Sequence, residues 1–122
     1  MVKKILIVED ETALLYALQS QLSTEGYQVL VADDGEKALQ VLNKHKPNAI
    51  VLDIILPKLN GWEFLKKIKA DEKTKEIPVI IISNLSDDAS RQRGIELGAK
   101  DYLPKVNYSL AELVNKIKEL TK

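Results

Sequence analysis

Apolar residues recur along this chain in two alternating rhythms. Short apolar-rich runs at Ile5 to Val8, Gln28 to Val31, Ala49 to Leu52 and Val79 to Ile82, with a weaker one at Asp101 to Leu103, read as β-strands. Three of them are solidly apolar, as strands covered on both faces are. Between the strands the period changes to that of a helix. Leu14, Leu18 and Leu22 recur at i, i+4, i+8, Ala38, Leu39 and Leu42 mark a second stripe, and Leu65 with Ile68 marks a third after Gly61. The last stripe, Leu110, Val114 and Ile117, follows Ser109-x-x-Glu112, a capping-box pattern, and Asp34 ahead of Gly35-Glu36 is a cap for the second helix. A helix over about Asp87 to Leu97 is the weakest, because Ser90, Arg91, Gln92 and Arg93 interrupt its apolar face. Ala89, Ile95 and Leu97 are left to hold it, which predicts a helix that shifts cheaply.

Strands and helices that alternate in this way, joined by right-handed crossovers, build an α/β domain: an open, doubly wound parallel sheet of five strands with five helices on its two faces. The expected strand order is the flavodoxin-like 2-1-3-4-5, in which ligands collect outside the carboxyl ends of strands one and three. Asp10 and Asp53 then stand on neighbouring strand tips. The length fits one domain over residues 1–122, enough to bury a core without staples.

Composition narrows the function. Eighteen basic residues balance eighteen acidic ones, so no global field draws the chain to nucleic acid or an anionic membrane. The absence of cysteine removes disulfides and thiolate chemistry, and the single His45 gives no histidine cluster for zinc. Lys3-Lys4 precedes an apolar run only four residues long, too short for a secretion signal or a membrane span. The expectation is a cytoplasmic protein.

The chemistry lies where the strands stop. Ile5 to Val8 runs into Glu9-Asp10, Ala49 to Leu52 into Asp53, Val79 to Ile82 into Ser83, and Tyr102-Leu103-Pro104 into Lys105. Parallel neighbours lie about 4.8 Å apart, so Glu9, Asp10 and Asp53 crowd negative charge that must protonate or bind a cation. Oxygen ligands without nitrogen or sulfur select a hard cation such as Mg²⁺, which keeps waters and stays open to a phosphate oxygen. A carboxylate can attack a phosphoryl group if the developing charge is neutralised, and Lys105 can supply part of that neutralisation. Ser83 offers a hydroxyl donor to a phosphoryl oxygen.

These residues, in this order and spacing, resemble the receiver domain of two-component response regulators of the CheY-like type. Glu9-Asp10 is similar to the family's acidic pair and Asp53-x-x-x-Pro57-x-x-x-Gly61 to its phosphoacceptor loop. Ile81-Ile82-Ser83 is similar to its switch hydroxyl, and Gly98-Ala99-x-Asp101-Tyr102-Leu103-Pro104-Lys105 to its final strand and lysine. The resemblance implies Asp53 as phosphoacceptor, with Asp10, Asp53 and the Ile55 carbonyl as direct Mg²⁺ ligands and Glu9 acting mainly through water. It also implies that Lys105 pairs with the phosphoryl group and that Ser83 and Tyr102 form the switch. The domain would catalyse only its own phosphorylation and dephosphorylation. Its donor would be a sensor histidine kinase, a phosphotransfer protein or a small acyl phosphate. Output would pass through the face of the fourth helix, fifth strand and fifth helix to a downstream protein or fused output domain, without direct contact to nucleic acid or membrane.

Three departures from the family pattern carry expectations of their own. Val106 follows Lys105 where family members commonly have a proline in a cis bond, and a non-proline cis bond costs about 2.5–4 kcal/mol. Ile55 and Leu85 stand where polar side chains help position an attacking water, which predicts slow loss of phosphate. The last helix has no arginine for charged pairing between receivers, which predicts a monomer. Three other readings remain open at this level: a flavin-binding flavodoxin, a haloacid-dehalogenase-type phosphatase, and an interaction module that never takes phosphate. Glu9-Asp10-Glu11 argues against a phosphate cradle after strand one, and Ile55 stands where the phosphatase expects a second aspartate.

Overall fold

A computed structural model of the chain describes residues 2–122. Its elements are β1 (Lys4–Val8), α1 (Thr12–Thr24), β2 (Gln28–Ala32), α2 (Gly35–Lys44), β3 (Ala49–Leu52), α3 (Gly61–Ala70), β4 (Val79–Ser83), α4 (Asp88–Glu96), β5 (Asp101–Pro104) and α5 (Leu110–Leu120), with a 3₁₀ turn over Lys105–Asn107 before α5. The five strands form one parallel sheet in the order β2-β1-β3-β4-β5, the flavodoxin-like arrangement the alternating pattern predicts.

The pleat explains how each strand feeds two cores. In β1, Ile5 and Ile7 pack with Leu18, Leu22, Val114 and Ile117 of α1 and α5, whereas Leu6 and Val8 pack with Ala38, Phe64, Leu65 and Ile68 of α2 and α3. Strands β1, β3 and β4 are almost wholly enclosed, as their unbroken apolar runs require. Strand β2 is an edge and only half-buried, with Val31 open to solvent.

The helical stripes are right in place and incomplete in membership. In α1, Leu15 joins Leu18 and Leu22 in the core while Leu14 is only half-buried. Phe64 adds to Leu65 and Ile68 in α3, and Leu113 to Val114 and Ile117 in α5. Helix α4 needs a correction. Ala89 and Ile95 do not anchor it, since both are exposed, and Leu97 is half-buried. Its one buried residue is Gly94, packed so tightly that a Cβ there would stand 2.8 Å from Ile81 Cδ1 and 2.9 Å from Tyr102 Cδ2. The helix comes close to the sheet because it presents no side chain at the contact. Arg93 adds a second hold, its guanidinium carbon 4.4 Å from the ring centroid of Trp62 on α3.

Register sets the tips of the strands. Val8 pairs with Leu52, and the Asp53 amide donates to the Val8 carbonyl at 2.9 Å, so Glu9 and Asp53 leave β1 and β3 side by side. Ser83 pairs with Pro104, which brings Lys105 out beside them.

Candidate functional site

Asp53 and Glu9 are buried charged residues at the carboxyl end of the sheet, 4% and 0% exposed. Their position follows from the strands that carry them, because each ends a fully enclosed run. The loop after Asp53 is fixed at its far end by Gly61, whose amide donates to the Ile54 carbonyl at 2.9 Å. A Cβ at Gly61 would stand 2.5 Å from both the Asp53 carbonyl oxygen and Ile54 Cα, so backbone approaches backbone where only glycine fits. Within the same loop Lys58 holds a left-handed conformation at φ 62°, costly for a residue with a side chain.

Lys105 joins the tips. Its ammonium lies 2.7 Å from Glu9 Oε1, 3.1 Å from Asp53 Oδ2 and 3.3 Å from Glu11 Oε1. Asp53 Oδ1 accepts from the Ile55 amide at 3.3 Å, and the Ile55 side chain points out to solvent, 54% exposed. Asp10 is exposed at the mouth. Among the described residues, Glu9, Asp10 and Asp53 form a set whose ligand oxygens all lie within 4.8 Å of one another. Glu9 Oε2 is buried without any hydrogen-bond partner.

The electrostatics follow from this crowding. Burial pushes the Glu9 carboxyl from its ordinary 4.5 up to about 8, and the neighbouring Asp53 carboxylate adds to the rise against the pull of Lys105. Burial acts to push Lys105 down, but the hydrogen bond it donates to Glu9 and the charges of Asp53 and Glu9 outweigh it and hold the ammonium above the usual lysine range. A hard divalent cation fits this donor set. The oxygens are close enough to share it, no nitrogen or sulfur competes, and the unpartnered Glu9 Oε2 leaves an acceptor to be satisfied, directly or through water.

Ser83 and Tyr102 meet at one short stretch of backbone. The Leu85 amide donates to Ser83 Oγ at 3.1 Å, and the Tyr102 hydroxyl donates to the Leu85 carbonyl at 2.7 Å. Both side chains are fully enclosed, and burial pushes the Tyr102 hydroxyl pKa up. The loop leading into α4 is therefore held from both sides of one residue.

Sequence reasoning puts Glu9, Asp10, Asp53, Ser83 and Lys105 at the strand ends, where they are found. It missed Glu11 as a third partner of Lys105 and Leu85 as the residue joining Ser83 to Tyr102. A signal for Glu11 was present, since glutamate is a poor residue for the cap position that opens α1. No cis peptide bond occurs among the described residues, and Lys105-Val106 begins the 3₁₀ turn, with Val106 78% exposed.

The family model for the response regulator receiver domain matches residues 5–118. The chain is 42% identical over 118 residues to the probable transcriptional regulator ycf27 of Cyanophora paradoxa, covering 97% of this chain and 48% of that protein. It superposes with a TM-score of 0.90 on the chemotaxis response regulator CheY4 of Vibrio cholerae, at 25% identity over 98% of this chain and 99% of that one. A third likeness, TM-score 0.87 and 27% identity over 99% and 98% of the two chains, is to the receiver domain of the sensor histidine kinase PA1611 from Pseudomonas aeruginosa, which has a magnesium ion coordinated in its active-site cleft. The chain belongs to the response regulator receiver domain family, the CheY-like regulatory domain of two-component systems. It spans about half the length of the curated relatives it matches. Among the described residues no helix is long and apolar enough to cross a membrane.

Proposed function

We propose that Asp53 accepts a phosphoryl group and that this domain passes the event on as a change of shape. The observation that carries the reading is the Lys105 ammonium 3.1 Å from Asp53 Oδ2, in a pocket whose remaining carboxylates suit a hard cation. An Asp53 oxygen forms the new bond to phosphorus. The bond from phosphorus to the donor breaks, and its electron pair leaves with the donor. A phosphohistidine on a sensor histidine kinase or phosphotransfer protein, or a small acyl phosphate, supplies the group.

Asp10, Asp53 and the Ile55 carbonyl are the proposed direct ligands of Mg²⁺, with Glu9 acting mainly through water; the magnesium in the Pseudomonas receiver's cleft supports this choice of ion. When bound, the ion neutralises charge on the phosphoryl oxygens. Lys105 does the same from the protein side. Ser83 then turns its hydroxyl from the Leu85 amide to a phosphoryl oxygen, which loosens the loop that Tyr102 holds and frees α4, itself anchored by little. The face of α4, β5 and α5 carries the change to a downstream protein or a fused output domain. Because the longer relatives include a probable transcriptional regulator, a DNA-binding output domain suits that role, with the receiver itself touching no nucleic acid or membrane. We place the domain in the cytoplasm as a monomer.

The test is intact mass after incubation with Mg²⁺ and acetyl phosphate, run beside Asp53→Asn. The expected result is one phosphoryl adduct that needs Mg²⁺ and is absent from the variant; no adduct with any of several donors overturns the reading. Ile55 and Leu85 leave no polar side chain to orient water, so the adduct is expected to persist for hours at neutral pH. Loss within seconds contradicts that part.

A further inference from the structure

We propose that Glu11 is a positioning residue that holds a place on Lys105 until a phosphoryl oxygen displaces it, and so sets how readily the pocket takes a phosphodonor. The inference rests on the reading of Asp53 as phosphoacceptor and deepens it. An ammonium has three N–H donors. Lys105 has three carboxylate partners, Glu9 at 2.7 Å, Asp53 at 3.1 Å and Glu11 at 3.3 Å, so every donor is taken in the resting pocket. A phosphoryl oxygen can bind Lys105 only if one of the three lets go.

Burial decides which one. The Glu9 side chain is 0% exposed and that of Asp53 5%, and taking the ammonium from either leaves a buried carboxyl oxygen without its hydrogen-bond donor. The Glu11 side chain is 55% exposed, and water takes up its carboxylate as Lys105 leaves. Glu11 also makes the longest of the three contacts.

The backbone supplies a separate argument. Glu11 occupies the cap position of α1, where a side-chain oxygen normally accepts a hydrogen bond from the first turn, and it makes no such bond. Asp34, Asn60, Asp87 and Ser109 all do so for the other four helices. At α1 the cap side chain reaches the catalytic lysine instead. Since Glu11 and the phosphoryl oxygen compete for the same N–H, any gain in phosphoryl binding on removing Glu11 measures the strength of the placeholder.

Wild type, Glu11→Gln and Glu11→Asp are compared at saturating Mg²⁺ in two measurements: the rate of Asp53 phosphorylation against acetyl phosphate concentration, by intact mass, and the affinity for beryllium fluoride, a phosphoryl stand-in that binds without chemistry. Aspartate keeps the charge but is one methylene too short for the contact. Both variants are expected to reach half-maximal rate at lower acetyl phosphate and to bind beryllium fluoride more tightly, by about two- to five-fold, the range of an exposed ion pair. The ligand-free melting temperature of Glu11→Gln is expected to fall by no more than about 4 °C, the loss of one exposed ion pair, whereas Glu11→Asp can recover stability through the capping bond that Glu11 does not make. A gain in Glu11→Gln alone, with Glu11→Asp like wild type, overturns the placeholder in favour of a repulsive rim charge. Wild type that takes both phosphoryl and beryllium fluoride beside variants of unchanged affinity overturns the placeholder alone. Wild type that takes neither overturns the phosphoacceptor reading and this inference with it.

Discussion

At the amino ends of the strands, polar groups are paired off. The Lys4 amide donates to Asn48 Oδ1 and the Asn48 amide returns a bond to the Lys4 carbonyl, both at 2.8 Å. Tyr27 and Thr121 share a hydroxyl contact at 2.7 Å, Lys3 donates to the Thr121 carbonyl, and Lys69 caps the Ile77 carbonyl at 2.9 Å. At the carboxyl ends of the same strands, Glu9, Glu11 and Asp53 gather round the ammonium of Lys105 with Asp10 exposed at the mouth, and one Glu9 oxygen is left without a partner. This fold gathers stability at the amino ends of its strands and gives it up at the carboxyl ends. One end fastens the last helix to the sheet; the other holds charge that only a bound cation or a proton relieves.

The largest break in that contrast comes from Gly61→Ala. Its Cβ would run into backbone on the loop of Asp53, where nothing can rotate aside, so a loss of about 3 kcal/mol is expected in urea melts. A change at the opposite end has no such backbone clash to make.

Next in size is the pH dependence of the metal-free protein. The folded pKa of Glu9 is raised, from 4.5 to about 8. Its contribution is therefore fully present below about 4.5 and is lost as pH climbs to about 8, because the unfolded chain releases the proton first. Glu9→Gln should flatten the fall in melting temperature across that window, with a gain of about 2 kcal/mol at its upper end. Equal slopes in variant and wild type remove Glu9 as the cause.

Thr121→Val probes the paired-off end. The hydroxyl it removes contacts Tyr27 and donates to the Ile117 carbonyl, so a cost of about 1–1.5 kcal/mol is expected, the same with or without Mg²⁺. A Mg²⁺-sensitive cost contradicts the separation of the two ends.

The smallest effect sharpens the contrast most. Asp53→Asn removes one crowded charge and should stabilise the metal-free protein by about 1 kcal/mol. Excess Mg²⁺ should raise the melting temperature of wild type by linkage and barely move the variant. Identical responses count against the pocket.

Much of this was legible beforehand because enclosed parallel strands announce themselves as unbroken apolar runs, and a charge that ends such a run is conspicuous. Glu9 and Asp53 stand out for that reason, Ser83 and Lys105 follow as the polar residues that end the next two strands, and the Ser109-x-x-Glu112 capping box is present in full. What stayed hidden depends on contacts between distant residues. Gly94 carries α4 by lacking a side chain, which no hydrophobic stripe registers, so Ala89 and Ile95 took its place in the sequence reading. Glu11 reads as one more acid in a run until β5 delivers Lys105 to it, 94 residues further along the chain. Leu15 and Leu113 were passed over because a short helix lets two neighbouring phases of the 3.6-residue period fit almost equally well.

The single tryptophan of the chain stands in the first turn of α3, directly after the glycine that clamps the Asp53 loop, with the Arg93 guanidinium of α4 stacked on its ring. The molecule thus carries its own optical gauge. Any motion that draws α4 away strips a cation from the only indole present, so emission from Trp62 follows the helix in real time without a label. A stopped-flow trace of that emission, set beside the mass of the Asp53 adduct, separates the moment of chemistry from the moment of movement.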